Sequence, residues 1–395
     1  MRILHIDKRF PPTGGVGTYI ETLAELQRRA GHEVLHFGCE EPGVSLGPDA
    51  LLGRNLPPRA HDLPRWFDFR GAGRPSDLPR MIHNDAAAGA LDLLLRSRRI
   101  DVAHLHNVYH HLTPSILPVL GRRGVGVVMT LHDYRLLCPA RHFRREDGIC
   151  TRCLEGDYWH VLSRHCGGPR GAGLAVESHI QRLGRRYVRW VDAFVCLTRT
   201  MRRFCRAAGF PSGKLRVVPA PLPKAARADG TAAAGRDENL VLFAGRLSDE
   251  KGPDLMLDLA GRLPEARVVI AGDGPEAEGL RERASDEALS NVELTGTLER
   301  PELGALYARA AIVCLPSRCM ENSPLTMLEA MAAECCVVVP DQPALREWVA
   351  DGRTGRLFVT NDADSLASVA REALGNPKAR RRMGLAAALE AGKRH

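Results

Sequence analysis

The stretch Leu240–Gly274, "LVLFAGRLSDEKGPDLMLDLAGRLPEARVVIAGDG", decides the fold. It opens on a strand, "LVLFAG" (240–245), that is apolar throughout, and turns through charged residues. A helical pattern starts at Pro253, a favoured first-turn residue, and a second apolar strand, "RVVIAG" (267–272), follows it. Strands with no polar face, joined through a helix, belong to a parallel sheet covered on both sides. The turn carries Arg246 just past the strand end and Lys251 just before the helix. Two cations at the carboxyl edge of such a sheet have the form of a diphosphate clamp, Arg supplying a fork of donors and Lys a point charge. Alone they would read as solvated surface charges.

The same alternation extends both ways. Toward the N-terminus, strands are expected at 2–6, 33–37, 102–106, 126–132, 193–198 and 216–220; beyond the opening stretch they are expected at 292–296, 311–316 and 336–340. The chain has 395 residues, more than one core usually covers, so two domains are expected. "PKAARADGTAAAGRDEN" (Pro223 to Asn239) has no apolar period and reads as a linker. The expected fold is therefore α/β, two doubly wound domains over 1–221 and 239–395 facing across a cleft, with a linker at 222–238. Residues 40 to 82, rich in Pro, Gly and Arg, read as a binding loop or lid.

Composition narrows the class. The net charge of +8 is dispersed and favours anionic ligands or an anionic surface, and aromatics are only 5%, too few for stacking platforms on nucleic acid. Eleven cysteines and an N-terminus that runs directly into a strand imply a reducing cytoplasm. No apolar run has the length of a membrane span.

Two further segments carry chemistry. In "PPTGGVGTYIETLAELQRRAGHEV" (Pro11 to Val34), Gly14, Gly15 and Gly17 follow a strand and open a helix, where free amides and the dipole favour an anion. The spacing is not that of a dinucleotide fingerprint, which weakens an oxidoreductase using NAD. In "CMENSPLTMLEAM" (Cys319 to Met331), Ser323 is a candidate N-cap, Pro324 sits at the first helical position, and the amides of Leu325 and Thr326 point out of the helix start. Glu321 precedes those amides and Glu329 lies a turn beyond them. The layout suits a ligand with phosphate in the middle and hydroxyl-bearing rings at each end, a sugar nucleotide.

"GGVGTY", "GRLSDEKG", "VIAGDGP" and the E-x7-E pair of "ENSPLTMLE", in this order and spacing, resemble the retaining, sugar-nucleotide-dependent glycosyltransferases of family 4, the group 1 glycosyl transferases, from the first strand to about residue 385. The resemblance implies a GT-B fold of two Rossmann-like domains, with acceptor at the first and donor at the second. It implies that Glu321 binds hydroxyls of the transferred sugar and Glu329 the ribose. Arg246 and Lys251 would hold the diphosphate with the amides of Leu325 and Thr326. The backbone near Thr297 and Leu298 would hold the base, and His132, in "TLHDY", would stand beside the reacting sugar. Gly15, Gly17, Asn322 and Ser323 complete the expected donor contacts. Asn322-Ser323-Pro324 stands where many members have Gly-Phe-Gly, and Ala220 where Asn is common, which leaves the sugar open.

Cleavage of the anomeric bond leaves negative charge on the diphosphate, so fixed cations and helix amides stabilise the transition state. Arg246, Lys251, Glu321 and His132 are the expected catalytic set, and no cofactor or metal is required for transfer. His106, His110 and His111 are weaker cleft candidates. The expected donor is a UDP-sugar. The acceptor is a glycan, a lipid-linked glycan or a small natural product, with no nucleic acid partner. The Arg-rich segment Ile180 to Trp190 reads either as a helix lying on the inner face of an anionic membrane or as a solvated face. Cys138, Cys150, Cys153 and Cys166 have the count and type for a structural zinc site, and equally read as reduced thiols in a loop. A non-catalytic nucleic-acid-binding module and an NAD-dependent oxidoreductase are the rival classes.

Overall fold

The computed structural model describes residues 1–10, 12–40, 79, 82–145, 148–163, 166, 168, 171–222 and 235–394. Contacts divide the chain into two compact units, Met1–Arg141 with Cys150–Pro221, and His142–Ile149 with Leu222–His395. Most of the stretch read as a binding loop and residues 223–234 of the expected linker lie outside the described residues.

The first unit carries β1 (Arg2–Phe10), α1 (Gly14–Arg29), β2 (Glu33–Glu40), α2 (Asp85–Ser97), β3 (Val102–Leu105), α3 (Leu117–Arg122) and β4 (Gly126–Leu131). Its strands pair in parallel in the order β2-β1-β3-β4 and the sheet continues through β7 (Ala193–Cys196) and β8 (Leu215–Val217). Most residues on these strands are buried, as their apolar stretches require. Gly17 lets α1 start tight against the preceding turn, since a Cβ there would stand 2.6 Å from the Pro12 carbonyl oxygen.

The segment Ile180 to Trp190 is not one helix. Helix α4 (Gly171–Leu183) ends, Arg185 takes the left-handed conformation at φ 44°, and α5 (Arg186–Trp190) begins as a separate helix. Gly184 and the loss of apolar period at "LGRR" are the local cause. Helix α6 (Arg199–Ala207) then joins β7 to β8.

Between β4 and β7 a short antiparallel hairpin, β5 (Arg144–Arg145) and β6 (Gly148–Ile149), packs with the second unit, although the sequence reading gave it to the first. The second unit's main sheet has β9 (Asp237–Ala244), α7 (Asp254–Arg262), β10 (Arg267–Ala271), α8 (Ala277–Asp286), β11 (Val292–Gly296), α9 (Arg300–Arg309), β12 (Ala310–Cys314), α10 (Leu325–Ala332), β13 (Cys336–Pro340) and β14 (Arg356–Phe358). Helices α11 (Ala363–Gly375) and α12 (Pro377–Arg394) complete it. β9 begins at Asp237, inside the stretch read as linker, and β14 was not foreseen because "RLF" is too short to show a pattern. The order β11-β10-β9-β12-β13-β14 is parallel throughout and reverses direction between β9 and β12. In open α/β sheets ligands sit at the carboxyl ends of the strands flanking that reversal. Those ends deliver the two segments holding Arg246 and Lys251 on one side and Glu321 on the other. Among the described residues no helix is long and apolar enough to cross a membrane.

Candidate active site

The loop after β9 and the loop after β12 are locked together. Gly252, at φ +64°, lets the first pass so close to the second that a Cβ would lie 2.3 Å from the Pro316 carbonyl oxygen. The amides of Arg318 and Cys319 donate to the Glu250 carbonyl at 3.0 and 3.3 Å, and the Met320 amide to that of His142 at 2.9 Å. Arg318 holds Asp254 in a two-pronged ion pair, with one N–O distance of 2.7 Å, and Arg144 of the hairpin grips Asp249.

Inside this frame the Lys251 ammonium donates to Glu321 Oε1 at 2.7 Å. Ser317 Oγ donates to the same oxygen at 2.5 Å. Burial works against the charge on Lys251, but Glu321 beside it, with Cys319 and Glu250, holds the amine above the ordinary lysine range. Gln342 fixes the backbone that carries the carboxylate: its Oε1 accepts from the Glu321 amide at 2.8 Å, and its Nε2 donates to the Cys319 and Ser317 carbonyls at 2.9 and 3.3 Å. Sequence reasoning missed Arg318 and Gln342, since both act through contacts distant along the chain.

Helix α10 starts one residue later than its sequence suggests. Pro324, extended at ψ 118°, is the N-cap and Leu325 the first helical residue, so Ser323 does not cap it. The Ser323 hydroxyl is buried without a hydrogen-bond partner among the described residues. The Met327 and Leu328 amides close on the Pro324 carbonyl, which leaves those of Leu325 and Thr326 outside the helix's own ladder. Glu329, on the second turn, accepts from the Tyr307 hydroxyl at 3.2 Å, and burial raises its carboxyl above the usual range despite that bond and Arg300. Asn322 is buried beside Glu321. Arg246 is exposed, with no side-chain partner among the described residues, and Thr297 and Leu298 lie in the turn between β11 and α9. Arg246, Lys251, Glu321, Asn322, Ser323, Leu325, Thr326 and Glu329 are thus all in the second unit at or next to its sheet reversal. Gly15, Gly17 and His132 belong to the first unit.

In the first unit, Gly15 is exposed at the start of α1, while Gly17 is buried beneath it. His132 follows β4 and is half-buried, and burial holds its imidazole down at about 4. It is not isolated: its Nε2 lies 2.9 Å from Nδ1 of His106, whose Nε2 lies 2.9 Å from Nδ1 of His5. His5 is directly opposite His36 on β2 and His104 on β3. The signal for this file is visible in the sequence, because "LHI", "LHF", "HLH" and "LHD" place a histidine near the same level of four adjacent strands; the sequence reading named His132 and His106 singly and did not connect them across the strands. His110 pairs instead with the buried Glu177 at 3.2 Å, beside Arg135. Burial works to raise that carboxyl, and Arg135 and His110 outweigh it and hold it low. His111 turns inward to the Tyr109 carbonyl at 3.3 Å.

Cys153 and Cys138 are hydrogen-bonded thiols, and this contact, burial and the neighbouring Cys150 and Cys166 together push the Cys153 thiol far up. Cys166 packs on the small cluster of Cys153, Tyr158, Val161 and Ala175.

Comparison with known proteins agrees with this geometry. Residues 13–223 match the model described as Glycosyltransferase Family 4, and residues 229–389 that described as Glycosyl transferases group 1. A phosphatidyl-myo-inositol mannosyltransferase of Mycolicibacterium smegmatis is 26% identical over 367 residues, 91% of this chain and 81% of that protein. Three other relatives align over only 30–31% of their own length. Among solved structures, sucrose-phosphate synthase from Thermosynechococcus elongatus superposes with a TM-score of 0.72 at 19% identity, covering 99% of this chain and 94% of that one. Anabaena HepE in complex with UDP-glucose does so with a TM-score of 0.64 at 17% identity, covering 100% and 95%. Both likenesses are of fold, and the fold is GT-B.

Proposed function

The chain belongs to glycosyltransferase family 4, and on that premise we propose that it moves a sugar from a UDP-sugar to an acceptor hydroxyl with retention of anomeric configuration and with no metal at the diphosphate. The observation that carries this reading is the Lys251–Glu321 pair at the sheet reversal, one loop before the open amides of Leu325 and Thr326. Lys251, those amides and the exposed Arg246 supply positive potential where the leaving diphosphate gains charge. Glu321 is the hydroxyl acceptor for the sugar and Glu329 for the ribose. The acceptor hydroxyl approaches from the leaving-group face and passes its proton to a phosphate oxygen, so no protein base is needed.

The acceptor is a hydroxyl-rich ring, free or lipid-linked. Support comes from a cavity of about 370 Å³ in the first unit, lined by Tyr109, Arg135, Tyr158, Gln181 and Tyr187 among others. Among the described residues the Tyr109 hydroxyl, Arg135 Nε and both amide atoms of Gln181 are buried there without hydrogen-bond partners, the mix of flat aromatic and planar polar groups that a cyclitol or sugar ring satisfies. Nearby Leu183 is 82% exposed between Arg182 and Arg185, which suits peripheral contact with an anionic cytoplasmic membrane face.

The test is nucleotide release from a panel of UDP-, GDP- and ADP-sugars, read beside thermal stabilisation by each and by NAD. Stabilisation and release with a UDP-sugar is expected. Stabilisation by NAD alone would overturn the reading, and release from GDP-sugars only would overturn the choice of nucleotide. A structural zinc held by Cys138, Cys150, Cys153 and Cys166 is part of the proposal, supported by the cysteine spacing and by the contact of Cys138 with Cys153, although among the described residues no three of these sulfurs lie within 4.8 Å of one another, so the metal would have to draw them together. Metal analysis of protein purified without chelator is expected to give one zinc per chain; none, with unchanged folding in chelator, rejects it.

A further inference from the structure

The histidine file of the first unit has a direction. The contact between His5 and His106 and that between His106 and His132, each 2.9 Å between nitrogens, can hold one proton apiece. A neutral imidazole has one donor and one acceptor nitrogen, so three neutral rings in series must all point the same way. All three are neutral near pH 7, because burial lowers His5 and His132 to about 4 and His106 well below the ordinary value. The end of the file sets the polarity. His5 Nε2 lies 2.7 Å from Oε1 of Gln27, on α1, and an amide oxygen only accepts. His5 therefore carries its proton on Nε2 and accepts at Nδ1 from His106 Nε2–H, and His106 Nδ1 accepts from His132 Nε2–H. His104 stands outside the series, bonded through Nε2 to Thr130 Oγ1 at 2.7 Å. Tyr19 packs its ring edge-on to His132 at 4.7 Å and fixes the plane of the imidazole.

We infer that Gln27, His5 and His106 are positioning residues that hold His132 as its Nε2–H tautomer, so that Nδ1 is the accepting nitrogen offered to a hydroxyl of the sugar. The inference rests on the reading of His132 as a site residue. Reversing the polarity means moving a proton across every ring and turning the Gln27 amide, so the tautomer is set from the far side of the sheet. A donor-only group at position 27 should impose the opposite state.

Histidine-selective ¹⁵N labelling of the full chain, with long-range proton–nitrogen correlation at pH 7, reads each tautomer directly. The wild type is expected to show His5, His106 and His132 as Nε2–H, and Gln27→Lys to shift His132 toward Nδ1–H. Position 27 is half-buried on a helix surface, and Gln27→Met, which removes the end group without adding charge, is expected to fold and to give a mixture of tautomers. With the sugar nucleotide that the panel selects, Gln27→Lys should lower kcat at least tenfold with little change in KM, and should have no further effect in a His132→Gln background. An Nδ1–H or doubly protonated His132 in the wild type overturns the inference. So does a tautomer unmoved by Gln27→Lys, or a transition metal retained by His5, His104 and His106, whose ligand nitrogens lie within 4.8 Å of one another. Tautomers that shift as expected while His132→Gln keeps full turnover would instead overturn the role of His132 and leave the polarity of the file established.

Discussion

Glu321→Gln removes one charge from the Lys251–Glu321 pair while keeping an oxygen in place for Ser317. At the 2.7 Å separation, attraction between unit charges is ~6 kcal/mol at an effective dielectric of about 20 and ~1.5 kcal/mol in bulk water. Desolvation offsets much of this. Breaking a buried pair on one side typically costs about 3–5 kcal/mol because a charge is left without its partner. Here the Glu321 side chain is 8% exposed but that of Lys251 is 33% exposed and can hydrate, so the expected loss is about 2 kcal/mol. Urea unfolding followed through the second unit should show a midpoint lower by roughly 0.8 M, taking a slope of about 2.5 kcal/mol/M. Lys251→Met should cost a similar amount, and the double variant less than the sum, with a coupling of about 2 kcal/mol. The pH dependence follows from the raised amine. A group whose folded-state value lies above its unfolded value stabilises fully below the unfolded value, 10.5 for lysine, and loses that contribution as pH rises through the folded value. Wild type and Glu321→Gln should therefore converge only at strongly alkaline pH. A loss under about 0.5 kcal/mol for Glu321→Gln, within the range of surface substitutions, or strict additivity of the two changes, would refute the pair as the centre of the site.

Arg246→Ala should leave stability within about 0.5 kcal/mol, because the side chain is exposed, yet weaken UDP binding about 10- to 100-fold by isothermal titration, the loss of one charge-assisted contact. Glu329→Gln should weaken UDP to a similar degree while leaving pyrophosphate unaffected; equal weakening of both would move Glu329 away from the ribose. Because burial raises the Glu329 carboxyl, its ionised form strains the native state, and any stability it contributes is lost as pH rises through its folded value. Glu329→Gln is therefore expected to unfold no more easily than wild type at pH 7, and wild-type UDP affinity to fall with acid before an ordinary glutamate would titrate. Gly17→Ala should destabilise the first unit by more than about 1 kcal/mol in thermal melts, since the added methyl group meets the Pro12 carbonyl at 2.6 Å.

Much of this architecture is legible in the sequence because buried parallel strands announce themselves. "LVLFAG", "RVVIAG" and "CVVVP" are apolar on both faces, and each lies within or beside a strand of the second sheet. Arg246, Lys251, Glu321 and Glu329 stood out because the first two follow the end of an apolar strand and the other two flank an otherwise apolar helix start, and the structure places all four at or next to the sheet reversal. What escaped is long-range. Nothing within a few residues of Gln342 says that it holds the loop carrying Glu321, and Arg318 reads as a surface charge until Asp254 is beside it. The start of α10 shifted by a residue because Ser-Pro fits an N-cap and first-turn pair, whereas Pro324 adopts an extended ψ. The break at Arg185 was missed because four basic residues in a row of helix formers mask one Gly. His132 and His106 were named one at a time, and the file they form with His5 was passed over because a His inside an apolar strand carries no period of its own.

Gln342 has a consequence for how this enzyme could be altered. One amide side chain grips three points of the loop, at residues 317, 319 and 321, and none beyond them. The loop is thus divided into an anchored part, which keeps the carboxylate of Glu321 against Lys251, and a trailing part, Asn322 and Ser323, that runs on from the Gln342 contacts to Pro324, where the ladder of α10 begins. On the proposed roles, substitutions in the trailing part would reshape the surface beside the sugar while the charge pair stays where it is. Donor choice and diphosphate recognition are then separately heritable, and a library confined to residues 322–324 should yield folded enzymes that differ in the sugar they accept.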